Sequence, residues 1–190
     1  MDTNSNRKAA HNRKVRARIL DAAAEEIRSR GLAGASIDCI MAAADLTRGA
    51  FYAHFASKGA LFEAVLREAH PLLKRLCALP DNDAEALRSL FADYLAPEHL
   101  AQVSRGCTLA ALASDAGRAS ENHKLALGDA REKMLSEMLR ASGGKVAPDR
   151  LDAALTLSTG AVLTAQADAN PRRQRATLEA ALTGFHALMR

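Results

Sequence analysis

The sequence predicts an all-helical protein with a helix-turn-helix near its N-terminus. Three observations carry this. The apolar share, 48% of 190 residues, is dominated by 42 Ala and 26 Leu, against 5 Val, 4 Ile, 5 Phe, 2 Tyr and no Trp. Ala and Leu favour helix, whereas Val, Ile and aromatics favour strand. Apolar residues recur at helical spacing between clear stops. Two short helical segments near the N-terminus are joined by a turn of two to three residues.

The elements follow in order. Residues 1–13 are polar and basic and read as a disordered arm. From Val15 to Arg30, Ile19, Ala23 and Ile27 recur every fourth residue, and Gly31 supplies a stop. Ser36 caps a short helix, Ile37 to Ala44, and Asp45-Leu46 breaks it. Thr47 caps Arg48 to Phe55, and Ser57 caps a helix expected to run to about Leu79, before Pro80. Four further segments follow: Asp83 to Leu95, Gly106 to Ala116, Ala119 to Ala141, and Pro148-Asp149 to Ala169. Asn170-Pro171 ends the last of these, and Arg173 to Met189 closes the chain.

Composition narrows the function. Three Cys cannot all pair, so a disulfide scaffold is excluded. The uncharged run from Ala153 to Ala167 falls short of the roughly 20 residues a membrane span needs. No secretory signal is expected in the basic, polar N-terminus, and the cytoplasm is the expected compartment. The six His form no metal-ligand pair, no phosphate loop or nucleophile elbow is present, and no cofactor or metal is expected. An enzyme is therefore not expected. The competing classes, a helical enzyme or an interaction scaffold that binds no DNA, have no motif behind them.

Charge points to one end of the molecule. Residues 1–58 hold 10 Lys/Arg and 6 Asp/Glu, and the remaining 132 residues hold 16 of each. The excess sits in Arg7, Lys8, Arg13, Lys14, Arg16 and Arg18, and suggests a polyanion partner. Just beyond lie the two short helices. Ala44 is small enough for a close corner, Leu46 plugs it, and Ile40, Phe51 and Phe55 supply a small core. Thr47, Arg48, Gly49, Tyr52 and His54 are left outward, a donor-rich face of the kind a recognition helix presents to a major groove.

The stretch Leu46-Thr47-Arg48-Gly49-Ala50-Phe51-Tyr52-Ala53-His54-Phe55-Ala56-Ser57-Lys58-Gly59-Ala60-Leu61, with Ile19 to Ala23 and Gly31-Leu32 before it, resembles the TetR/AcrR family of transcriptional regulators. The resemblance covers about residues 14–74 and implies a DNA-binding domain there, with the helix-turn-helix at about 37–56, and a helical ligand-binding and dimerisation domain over residues 75–190. It implies a three-helix DNA-binding headpiece, a linking fourth helix, and a body that binds an inducer and dimerises. It places Thr47, Arg48 and Gly49 near bases and phosphates, and Tyr52, His54 and Lys58 on phosphates. Ser36 would offer its hydroxyl and a helix N-terminus to a phosphate. Asp45 stands where the family often has Gly, and tolerates the left-handed turn. Ala53 replaces a residue that is often larger and polar. The reading that follows is a homodimeric repressor on a palindromic double-stranded operator, released by a small molecule or an electrophile.

Candidate inducer contacts are Phe91, Tyr94, Leu95, Cys107, Leu109, Leu112, Met134 and Met138, each of which also reads as plain core. Cys107, after Arg105 and Gly106 at an expected helix N-terminus, is either a reactive thiolate sensor or a buried, inert thiol. Leu157, Gly160, Ala161, Thr164, Leu178, Leu182 and Phe185 are the candidate dimer contacts, on helices apolar on more than one side.

Overall fold

A computed structural model describes residues 3–101, 104 and 106–190. These form eleven helices, with no strand among the described residues. The first four are α1 (Thr3–Gly34), α2 (Ile37–Ala43), α3 (Arg48–Tyr52) and α4 (Lys58–Glu68). Then come α5 (Pro71–Cys77), α6 (Ala84–Tyr94), α7 (Pro97–Leu100) and α8 (Thr108–Arg118). The chain ends with α9 (Glu121–Ala141), α10 (Pro148–Gln166) and α11 (Pro171–Leu188).

Local chemistry sets most boundaries. Ser36 accepts from the Cys39 amide at 3.0 Å and Ser57 from the Ala60 amide at 3.0 Å. Asp83 and Asn170 cap α6 and α11 in the same way. Gly31 leaves the helix of α1 with φ 69°, a kink clamped where the Leu32 amide donates to Asp115 of α8 at 2.8 Å.

Three expectations are corrected. Residues 3–13 are helical, not disordered, because no Gly or Pro interrupts Thr3 to Arg30 and the α1 nucleus is already formed; residues 1 and 2 lie outside the described residues. The helix expected from Ser57 to Leu79 is two helices. Pro71 has no amide proton and forces His70 to φ −114°, ψ 100°, so α4 ends at Glu68 and α5 restarts on Pro71. The segment between the sixth and eighth helices holds a further short helix, α7, opened by Pro97.

Two cores hold the molecule. The headpiece core packs Ile19, Ile27, Ile40, Phe51, Phe62 and Val65, and takes Leu112 and Ala116 from α8 and Ala126 from α9. The body core packs Leu87, Phe91, Tyr94, Met134, Leu155 and Phe185 among others, with Phe91 stacked on Phe185 at 4.4 Å between centroids. Full burial of each large side chain stabilises by ~1.5–3 kcal/mol. Since α8 contributes to both cores, headpiece and body are docked through it.

The α4–α5 break buries His70, whose Nε2 contacts the Leu66 carbonyl while Nδ1 has no partner among the described residues. Burial, aided by the Arg28 charge, pulls its pKa below the ordinary value of 6.5. The unfolded chain then takes the proton first as pH falls. The stability is complete above about pH 6.5 and is lost as pH drops from there through the depressed folded pKa. His99, also pulled down chiefly by burial, adds to the same slope. Melting temperature is therefore expected to fall between about pH 7.5 and 5, and His70→Gln to flatten that profile. An unchanged profile in the variant would remove His70 from the account.

Candidate nucleic-acid interface

The helix-turn-helix is α2, a turn, and α3. Asp45 takes the left-handed conformation in the turn, φ 52°, and the Leu46 amide returns to the Met41 carbonyl at 2.9 Å. Arg18 of α1 braces this corner from outside, donating to the Ala44 carbonyl at 2.5 Å. Helix α3 stops at Tyr52, short of the expected Phe55, because the His54 and Phe55 amides both turn back to the Phe51 carbonyl at 2.9 Å. Phe55 thereby folds against Phe51, and Ser57 starts α4.

This geometry leaves Ser36, Thr47, Arg48, Gly49 and Tyr52 exposed, with His54 and Lys58 half-buried. Thr47 stands at the N-cap of α3, yet its hydroxyl makes no capping bond. Ser36 accepts its capping bond through oxygen, which leaves the hydroxyl proton to donate elsewhere. A Cβ on Gly49 would meet only the Thr47 hydroxyl, at 4.0 Å. The fold therefore does not demand glycine there; the missing side chain opens the outward face. Tyr52 rests edge-on against Phe51 at 5.1 Å with its ring exposed. Lys58 is the first residue of α4, beside the Ser57 cap.

One feature of this face depends on the packing of the two helices. Arg48 is bound to both carboxylate oxygens of Asp38, on α2, at 3.0 Å. Both side chains are largely exposed, so the pair is worth ~0–1 kcal/mol and yields to a stronger anion. Behind the face, Arg16 of α1 grips Glu68 at 2.5 and 2.7 Å and lies 5.3 Å over the Phe55 ring. The Arg16 guanidinium holds the Glu68 carboxyl below its ordinary range.

The eight candidate inducer contacts are all buried. Seven belong to the body core, but Leu112 lies in the headpiece core. Cys107 is 2% exposed, and burial pushes its thiol above the ordinary value. The expected thiolate is thus not favoured, since the cost of desolvating the charge outweighs the helix N-terminus; Arg105 lies outside the described residues. Tyr94, 1% exposed, sets its hydroxyl against this thiol without a well-formed hydrogen bond. Cys39 and Cys77 are the exposed thiols.

The candidate dimer residues divide. Leu157, Gly160, Ala161 and Thr164 line a trough of about 560 Å³ between α10 and α11, together with Thr177, Ala180 and Ala181. Leu178 and Phe185 are not on that face; they turn into the body core, and Leu182 is half-buried against it. The trough exists because Gly184 lets α11 close on α10, where a Cβ would sit 2.8 Å from Leu157. Among the described residues no group of three or more His, Cys, Asp or Glu is placed to hold a metal, and no helix is long and apolar enough to cross a membrane.

Residues 19–65 match the family model described as bacterial regulatory proteins, tetR family. Over 65 residues, 34% of this chain, the sequence is 43% identical to TtgW of Pseudomonas putida, described as an uncharacterized HTH-type transcriptional regulator. It is also 43% identical over 65 residues to SrpR of Pseudomonas putida, an HTH-type transcriptional regulator. The match spans 48% of TtgW and 30% of SrpR. The reduced form of NemR from E. coli superposes with a TM-score of 0.72 at 20% identity, over 92% of this chain and 96% of NemR. A TetR-family regulator from Cytophaga hutchinsonii gives 0.68 at 20% identity, over 94% of each chain. At that identity the likeness establishes the fold.

Proposed function

We propose that this chain is a TetR-family transcriptional regulator that acts in the cytoplasm as a homodimeric repressor, a reading supported by the family match over residues 19–65 and by the shared fold. It reads a palindromic operator through Thr47 to His54 and is released by a small-molecule inducer. The family's members are regulators and not enzymes. The observation that carries the reading is the outward face of α3: an uncommitted Thr47 hydroxyl, an exposed Arg48 and Tyr52, and a glycine between them that the fold does not require. Repression needs only occupancy of a promoter, and a two-fold dimer matches a palindrome.

Binding to the DNA upstream of its own gene, followed by footprinting and by titration across salt, tests it. Lys58→Ala is expected to weaken binding to every sequence alike and to flatten the salt slope by about one. Arg48→Ala is expected to change sequence preference instead, because release from Asp38 lets the guanidinium reach a base edge. If both variants titrate like wild type, the assignment of this face is wrong.

For the inducer, buried Cys107 supports a non-covalent apolar ligand over an electrophile. Phe91, Tyr94 and Met138 of the body core are the contacts proposed for it. The electrophile route predicts that a mild oxidant or a quinone frees DNA from wild type but not from Cys107→Ser. Equal behaviour of the two proteins excludes it.

A further inference from the structure

The first three turns of α1 carry charge that the fold does not use. Val15 is the first residue of α1 to pack on the headpiece core, so residues 3–14 extend beyond it. No acidic residue occurs between Thr3 and Leu20, and the sign changes only at Asp21. Of the six cations in this stretch, Arg16 and Arg18 are occupied, on Glu68 and on the Ala44 carbonyl. Arg7, Lys8, Arg13 and Lys14 are exposed and have no ion pair or hydrogen bond among the described residues.

Their helical positions matter. Arg7, His11, Lys14 and Arg18 fall at i, i+4, i+7 and i+11, which puts them in one stripe along α1, with Lys8 at its margin. Arg13 falls on the opposite side, with Arg16. The stripe ends on the helix-turn-helix itself, since Arg18 touches the turn between α2 and α3. Cations near a helix N-terminus oppose the helix dipole, and the first turn of α1 holds no acid to offset them.

Building on the DNA-binding reading above, we propose that the extension of α1 is a second DNA-contacting element, in which Arg7, Lys8 and Lys14 bind phosphates of the duplex beside the site read by α3. A membrane surface fits less well, because the extension carries Ala9 and Ala10 but no large apolar residue to insert. Twelve helical residues reach about 18 Å, or about five base pairs of flanking duplex.

The test compares wild type, the triple variant R7A/K8A/K14A, and R13A. Each binds a 40-base-pair duplex of random sequence and the fragment upstream of the gene. Affinity is measured by fluorescence anisotropy between 50 and 200 mM NaCl. Alanine preserves helix and these side chains pack on nothing, so melting and circular dichroism are expected to match wild type. In the proposed dimer three phosphate contacts per chain make six, so the slope of log K against log salt is flatter by about 5.4 in the triple variant, and wild type loses about 1,800-fold more affinity than the variant across that range. R13A is expected to keep the wild-type slope. Hydroxyl-radical protection of the upstream fragment is expected to shrink at its edges in the triple variant alone. A triple variant with wild-type slope and footprint overturns the proposal and leaves the α3 reading standing. R13A flattening the slope as much as each stripe residue overturns the oriented stripe. Wild type failing to bind either duplex overturns the DNA reading itself. Loss of binding to phosphatidylserine vesicles with no change on DNA reassigns the stripe to membranes.

Discussion

Gly160→Glu is expected to convert the proposed homodimer into a monomer while leaving each protomer folded. A Cβ on Gly160 meets nothing within 4 Å in its own chain, so the protomer has room for the new side chain. Replacing glycine inside α10 also favours the helix, by ~0.5–1 kcal/mol. In the proposed two-fold interface the same residue occurs twice at the centre of the contact, against Leu157, Ala161 and Thr164. Leu157 is 38% exposed in the isolated chain, an apolar side chain at the mouth of a trough lined by Ala and Thr. A carboxylate there is desolvated with no cation facing it, at ~3–5 kcal/mol for each buried charge. The dissociation constant is expected to rise at least about a hundredfold. Sedimentation at micromolar concentration reads the state, and unchanged melting of the protomer excludes misfolding. Operator affinity is expected to fall with the dimer, because a monomer holds one half-site. A variant that remains dimeric removes the α10–α11 face from the interface.

Much of this fold is legible because its punctuation is local. Ser36, Ser57 and Asp83 announce helix starts through one side-chain oxygen and an amide three residues on, whereas Asn170, expected to end a helix, caps α11 from Pro171. Asp45 is readable as a left-handed turn residue for a similar reason. The continuous apolar spacing from Leu61 to Leu76 hides the α4–α5 break, because periodicity describes which face is buried and not whether the backbone runs on. Pro71 was the available signal, and its missing amide outweighs the pattern. The helical extension of α1 was equally hidden. A polar, basic composition lowers the expectation of order, but a helix already nucleated by Val15 to Arg30 propagates through Ala and Arg at little cost.

The exposure of Thr47, Arg48, Gly49 and Tyr52 is legible from spacing, whereas His54, expected on the same helix face, lies past the end of α3 and is half-buried. What spacing does not give is the company each side chain keeps. Arg48 meets Asp38 only because α2 and α3 cross at the Asp45 corner. Leu178, Leu182 and Phe185 share a helical stripe that packs on the body core, while the trough beside α10 is lined on α11 by Thr177, Ala180 and Ala181. An all-apolar helix reports that it is buried on several sides, and the partner on each side is a property of the packing.

Arg28→Met is expected to cost ~3 kcal/mol and to loosen the headpiece from the body. Arg28 is 8% exposed although it lies on α1, and burial pulls its guanidinium pKa below the ordinary value. It donates to the Ser104 carbonyl at 2.7 Å, the Ala69 carbonyl at 3.3 Å and the Thr108 hydroxyl at 3.3 Å. Thr108 in turn donates to the Ala69 carbonyl at 2.5 Å. Helix α1, the end of α4 and the start of α8 therefore meet on one guanidinium, close to Cys107 and beside the α4–α5 break. Methionine keeps the apolar stem and removes the donors, leaving the Ser104 carbonyl without this bond. For a chain of this size ~3 kcal/mol lowers melting by roughly 6–12 °C. Thr108→Val removes the hydroxyl at nearly constant volume. Since the two residues share the Ala69 carbonyl, the double variant is expected to cost less than the two singles added, by ~0.5–3 kcal/mol. Operator binding at 25 °C, where both variants stay folded, separates the two roles of the node: a purely structural tie leaves affinity unchanged, whereas a tie that sets the angle of α4 changes it. Additive costs, or a melting loss within about 2 °C, would dissolve the node into independent contacts.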